Sequence, residues 1–142
     1  MTSQAFKSNL SKLFILQKKA VRLITNSHYL TPSSPLFVKC NILPLTELIK
    51  LNTCIFMFNY HKGILPESFA HMFKTNSAIH SYPTRQSKDL HIPFSRLSFV
   101  CHSTRFVGVN EWNSLNQDIK SSTTLTRFKR LCKLSLYQSL QQ

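Results

Sequence analysis

A chain of 142 residues, 42% of them apolar, is long enough for a single domain with a buried core. It carries 18 Lys and Arg against 5 Asp and Glu, a net charge of +13 that favours polyanionic partners and leaves few carboxylates for acid–base or metal chemistry. Gly63 and Gly108 are the only glycines, which excludes a Gly-rich phosphate loop, and the longest strongly apolar run, Ile55-Phe56-Met57-Phe58, falls far short of the ~20 residues of a membrane span.

The first helix is expected from Ser8 or Asn9 to about Ile24. At 100° per residue, Leu10, Leu13, Phe14, Ala20, Val21 and Ile24 share one face, with Leu16 and Leu23 at its edge. Lys7, Lys12, Lys18, Lys19 and Arg22 share the other, and with Lys39 they precede Glu47, the first acid in the chain. Cations with no acid among them repel one another unless something anionic lies against them, so this face reads as a surface that tracks phosphates. A plain solvated face and a membrane-surface helix remain open alternatives. Residues 1–7 are expected to be disordered.

Thr31-Pro32-Ser33-Ser34-Pro35 reads as a loop, and Leu36-Phe37-Val38 as one helical turn. Pro44 suits the first turn of a helix running to about His61, because its missing N–H would be unpaired there anyway. That helix is apolar on most sides, with only Glu47, Lys50 and His61 as a thin polar strip, so it is expected to be central. Gly63 can end it in the left-handed conformation. A short helix is expected from Pro66 to Phe73 or Lys74, and Ser81–Gln86 reads as extended, since Pro83 disfavours helix at the residue before it.

Leu90, Ile92, Phe94, Leu97, Phe99 and Cys101 alternate loosely with polar residues, which predicts a small β-hairpin over 88–102, paired as 88–93 with 98–102. Arg105–Ser114 reads as a helix holding the single Trp. This stretch has no reactive constellation, so Gly108, Trp112, Asn113 and Leu115 are expected to form a packing hub. Ser121–Thr124 offers an N-cap to a last helix from about Leu125 to Ser139. Its Leu125, Phe128, Leu131, Cys132 and Leu136 should face inward and its Arg127, Arg130 and Lys133 outward. The fold class is therefore mainly α (α+β): one irregular, basic helical domain of about five helices with one small hairpin.

Candidate chemistry is sparse. Asp89 and Asp118 are far apart in sequence, and Glu47, Glu67 and Glu111 are isolated. His28, His61, His71, His80, His91 and His102 match no recognised metal-ligand spacing, and Cys40, Cys54, Cys101 and Cys132 read as reduced and mostly buried. No catalytic residue, metal or cofactor is expected, and an intracellular setting, cytoplasm or nucleus, is favoured. Cations do interleave with aromatics: Tyr82 with Arg85, Phe94 with Arg96, Arg105 with Phe106, Phe128 with Lys129. Such pairs can combine base stacking with phosphate contacts.

Several segments, in order, resemble one family. Leu16-Gln17-Lys18-Lys19-Ala20-Val21-Arg22-Leu23-Ile24 is followed by Pro35-Leu36-Phe37, Asn41-Ile42-Leu43-Pro44-Leu45 and Phe56-Met57-Phe58-Asn59-Tyr60. Then come Leu65-Pro66-Glu67-Ser68-Phe69, His80-Ser81-Tyr82-Pro83-Thr84-Arg85, Gly108-Val109-Asn110-Glu111-Trp112-Asn113-Ser114-Leu115 and Phe128-Lys129. Together they resemble the region downstream of the polymerase core in non-LTR retrotransposons of the jockey-like LINE kind. The resemblance implies the C-terminal region of a reverse transcriptase polyprotein, with endonuclease and polymerase palm upstream. It also implies RNA or DNA as partner, and the upstream polymerase domain as a second one. Val109 and Asn116 stand where the family tends to have proline, as in a divergent or decaying copy.

On the residues alone, nucleic-acid contacts are assigned to Lys12, Lys18, Lys19 and Arg22 on the first helix and to Arg127, Arg130 and Lys133 on the last.

Overall fold

The structure is a computed structural model that describes residues 7–82 and 84–140, with side-chain surroundings for 10–82, 84–97 and 100–140. It is mainly helical. The helices are α1 (Lys7–Ile24), α2 (Ser33–Lys39), α3 (Leu45–His61), α4 (Ser98–Cys101), α5 (Thr104–Ser114), α6 (Gln117–Lys120) and α7 (Leu125–Ser139). Single 3-10 turns lie at Glu67–Phe69 and Asn76–Ala78. Expected disorder at 1–7 lies outside the described residues, except that Lys7 begins α1. The chain divides into two compact units: the residues up to Asn52 together with those from Lys129 onward, and Thr53–Phe128.

In the first unit, Val21, Leu36 and Phe37 form a buried cluster against which Phe14, Cys40 and Ile42 pack, the Phe14 and Phe37 rings stacking at 6.3 Å. The polar residue on this side of α1 is Gln17. Its Nε2 donates to the Leu43 carbonyl at 3.0 Å, and its Oε1 accepts from Leu45 N–H at 2.8 Å. Leu45 opens α3, where the first N–H groups have no partner within the helix, so Gln17 supplies one from 28 residues away.

Three helices stop in the same way. After α1, Ser27 N–H bonds the Arg22 carbonyl and Asn26 N–H that of Leu23, with Asn26 at φ 49. After α2, Ile42 bonds Phe37 and Asn41 bonds Val38, with Asn41 at φ 55. After α3, Ile64 bonds Asn59 and Gly63 bonds Tyr60, with Gly63 at φ 66. Each is a left-handed residue closing the paired bonds of a Schellman motif. Asn is the residue that takes this conformation most readily after Gly, which lets a chain with two glycines end three helices alike.

In the second unit the core is Met57, Phe58, Phe73, Leu90, Val109, Trp112, Ile119 and Phe128. The Phe58 and Phe128 rings stack at 4.5 Å, and Phe56 meets Phe69 edge-on at 5.7 Å. The helix expected up to Phe73 or Lys74 is a single 3-10 turn at Glu67–Phe69. Beyond it the Tyr60 hydroxyl sits 3.1 Å from the Ala70 carbonyl and 3.2 Å from that of Phe73, taking over acceptors from a continuing helix. Ser103 caps α5 through Phe106 N–H at 3.4 Å, and Thr124 caps α7 through Arg127 N–H at 3.3 Å.

The expected hairpin over 88–102 is absent: no sheet forms among the described residues, and Ser98–Cys101 is helical. The partners lie elsewhere. Thr75 and Leu90 form an isolated antiparallel bridge, with His91 N–H bonding the Lys74 carbonyl at 2.8 Å and Asn76 N–H that of Asp89 at 2.9 Å. That pattern turns the N–H and C=O of Leu90 away from the bridge. The Asn113 side chain takes both: its Oδ1 accepts from Leu90 N–H at 3.1 Å and its Nδ2 donates to the Leu90 carbonyl at 2.8 Å. One amide thus stands in for a neighbouring strand. Pro93 lacks the N–H a longer ladder needs, and the Ser95 hydroxyl accepts from Leu97 N–H at 3.1 Å and starts the turn into α4.

Asn113→Ala should lower unfolding free energy by about 2 kcal/mol or more, because it strands two backbone groups of a residue only 4% exposed. Urea denaturation measures this, and a loss below roughly 0.5 kcal/mol would contradict the clamp.

Candidate nucleic-acid interface

The packing segment on α5 is built from the side chains that α3 presents to it. Gly108 lies where a Cβ would come within 2.8 Å of Met57 Sδ and 3.7 Å of Thr53 Cγ2, and Met57 is fully buried. One turn on, Trp112 is 7% exposed. Its indole stacks on the His61 ring at 4.3 Å and lies 6.1 Å from Phe128. Asn113 holds Leu90, its own carbonyl accepts from Lys120 Nζ at 3.1 Å, and Leu115 is half-buried at the end of the helix.

His61 belongs to this cluster although the sequence placed it on a polar strip. Its edge is open to solvent while one ring face is covered by the indole. Burial lowers its pKa from the ordinary 6.5, and the Lys120 charge lowers it further. A positive imidazole is therefore less favoured here than in water, and the ring serves as a packing partner of Trp112.

The seven assigned cations separate into two kinds. Lys12 and Lys19 on α1 are exposed, as are Arg127 and Arg130 on α7, with Lys129 exposed between them. Lys18 is half-buried, its Nζ 4.2 Å above the Phe14 ring centroid. Arg22 donates from Nε to the Thr31 carbonyl at 2.9 Å and fastens the turn after α1. Lys133 lies over the Tyr137 ring at 5.7 Å, one helical turn away. Cation–π contacts hold their charges in place without neutralising them.

The face that α1 turns inward carries Leu10, Phe14, Gln17 and Val21. Leu13, Leu16, Ala20, Leu23 and Ile24 are exposed, Leu23 at 81%. The sequence pattern placed Leu13, Ala20 and Ile24 on the inward face. The apolar arc of α1 is wider than the first unit covers, and periodicity defines the arc without saying which part is covered. An apolar strip therefore runs beside the exposed Lys12 and Lys19.

The aromatic–cation pairs are sorted by burial. Phe128 is fully buried and Phe106 half-buried, so neither offers a free ring face. Tyr82 and Phe94 are among the most exposed large side chains, and Arg85 and Arg96 beside them are exposed. Elsewhere in the second unit an open depression of about 510 Å³ is lined by Tyr60, His61, Pro66 and Glu67 among others. Among the described residues no group of three or more His, Cys, Asp or Glu could hold a metal ion, and no helix is long and apolar enough to cross a membrane. None of the four cysteines is in a disulfide, and Cys54 and Cys132 are buried.

No protein-family model matches the chain, and no curated protein or solved structure gives a match.

Linkage gives a pH test of the His61 environment. The folded ring stays neutral at pH values where the unfolded chain already takes up a proton. This contribution to stability is complete above pH 6.5 and is lost as pH falls through 6.5 toward the folded value. The urea midpoint of the native protein should fall more between about pH 7.5 and 5.5 than that of His61→Gln. Equal falls would contradict the lowered pKa.

Proposed function

We propose that the chain is a non-catalytic, basic helical domain from the C-terminal region of a non-LTR retrotransposon reverse transcriptase polyprotein. It binds nucleic acid through the exposed cations of α1 and α7. The observation that carries this reading is the exposure of Lys12, Lys19, Arg127 and Arg130 on two helices, in a chain of net charge +13 with no acid before Glu47. A nucleic-acid backbone relieves the repulsion among such charges and releases its own counterions in return. The resemblance supplies the origin, and its segment around Gly108, Trp112 and Asn113 coincides with residues that have identifiable packing roles.

Not all seven cations contribute alike. Lys18, Arg22 and Lys133 have partners inside the chain, so Arg22 in particular is a structural residue as well as a charge. Lys12, Lys19, Arg127 and Arg130 are the freer contacts, and Lys18 and Lys133 add to the local potential.

A second reading is favoured by one observation, the exposed row Leu13, Leu16, Leu23 and Ile24. Such a row suits a protein-interaction module that packs against an upstream polymerase domain. In a decayed copy the same row would have lost its partner.

Charge reversal separates these readings. Lys12→Glu/Lys19→Glu should weaken binding to single-stranded RNA by roughly tenfold at moderate salt, and should reduce the slope of log K against log salt by about 1.4, at roughly 0.7 per lost contact. Leu16→Asp/Leu23→Asp should leave RNA affinity in place. If charge reversal changes nothing while Leu16→Asp/Leu23→Asp abolishes self-association or polymerase-domain binding, the interaction module is the correct reading.

A further inference from the structure

We propose a second nucleic-acid contact in residues 80–82 and 84–97: a stacking site for unpaired bases, with Tyr82 and Phe94 as platforms and Arg85 and Arg96 beside the strand's phosphates. It rests on the nucleic-acid reading above but uses residues outside the helix faces assigned there. Tyr82 is 82% exposed and Phe94 85% exposed, in a protein that buries Phe37, Phe58 and Phe128 almost completely. Each carries an exposed arginine close by in sequence, Arg85 three residues after Tyr82 and Arg96 two after Phe94. A ring face open to solvent with a cation next to it is the arrangement by which sequence-tolerant binders hold single strands.

The base of the loop is held between the two rings, at residues 76–77, 86–91 and 113. Ser77 N–H bonds the Ser87 carbonyl at 2.9 Å, and Asn76 Nδ2 bonds that of Gln86 at 2.9 Å. Asn76 Oδ1 meets His91 Nδ1 at 3.2 Å, and Asn113 clamps Leu90. The His80 and His91 rings approach to 5.8 Å, so the chain leaves this support on both sides at one place. Tyr82 lies two residues beyond His80 and Phe94 three beyond His91, so their Cα atoms are at most about 7 and 11 Å from those of the two histidines at ~3.3–3.6 Å per residue. Both platforms therefore fall within the reach of a few nucleotides.

Against this support is an open depression of about 370 Å³ whose walls include Gln86, Asp89 and His91. The Asp89 carboxylate repels phosphate but accepts from the amino edge of a base. Gln86 can donate and accept. The depression thus suits a base edge, with the phosphates outside it near Arg85 and Arg96. A duplex has its base faces already stacked and cannot use the rings, so the site selects unpaired strands.

The test uses the full chain, an oligocytidine of about 12 nucleotides, and a strand of equal length and charge with abasic positions. Fluorescence anisotropy should show the native protein binding the base-bearing strand at least about fivefold more tightly than the abasic one. Tyr82→Ala/Phe94→Ala should lose that preference, bind both strands at the abasic level and keep the salt slope and melting temperature of the native protein. Equal native affinity for both strands, or an unchanged preference in the variant, overturns the stacking site and leaves the helix-face reading standing. Equal weakening of the variant toward both strands also overturns it, since the rings would then act through something other than bases. No binding by the native protein to either strand overturns both.

Discussion

Two amide side chains hold together a backbone that has no sheet to join among its described residues. Asn113 exchanges two hydrogen bonds with Leu90, and Gln17 exchanges two with Leu43 and Leu45. Each clamps a peptide segment far away in sequence onto a helix, one in each compact unit. Buried backbone groups left without partners carry a high cost, so a fold made of short helices and irregular connections must satisfy them locally. The left-handed Asn26, Asn41 and Gly63 meet the same demand at helix ends. What looks irregular in the trace is the solution to that constraint. The base of the loop bearing Tyr82 and Phe94 is fastened by the same amide of Asn113.

Much of the helical framework was legible from periodicity. The bounds of α3 and α7 follow from where apolar spacing begins and from Pro44, Gly63 and Thr124 as stop and start residues, while the Ser103 cap of α5 was not read from the sequence. The hairpin was not. Leu90, Ile92 and Phe94 alternate as a strand does, but a strand is defined by its partner, and the partners of Leu90 are Thr75 and a side chain on α5. No local pattern encodes an amide that lies 23 residues away. The setting of α1 was only half legible for a related reason. Its broad apolar arc permits several orientations, and the structure buries Phe14 and Val21 while exposing Leu16 and Leu23. One signal was available: Gln17 sits on the apolar side of α1, where a lone polar residue implies a specific partner.

The segment that holds the only Trp connects packing to the functional reading. Gly108 admits the buried Met57, Trp112 lies between His61 and Phe128, and Asn113 fastens the loop that carries the exposed aromatics. Gly108 and Trp112 are buried, and both ends of the Asn113 amide are taken up by Leu90. Their contribution is positional, and in the proposed reading the nucleic-acid contacts fall to cations and rings elsewhere. Among the assigned cations, Lys18, Arg22 and Lys133 have partners within the chain, whereas Lys12, Lys19, Arg127 and Arg130 are exposed. Lys18 lies one turn after Phe14 and covers its ring, whereas Lys19, 100° further round the helix, is exposed.

The reading of this chain as an electrostatic binder of nucleic acid stands on its exposed cations, and its most direct measurement is the salt dependence of binding to single-stranded RNA. With Lys12, Lys19, Arg127 and Arg130 each meeting a phosphate, log K should fall against log salt with a slope of about −3, at roughly 0.7 per contact. A slope near zero, or no binding at low salt, would contradict it.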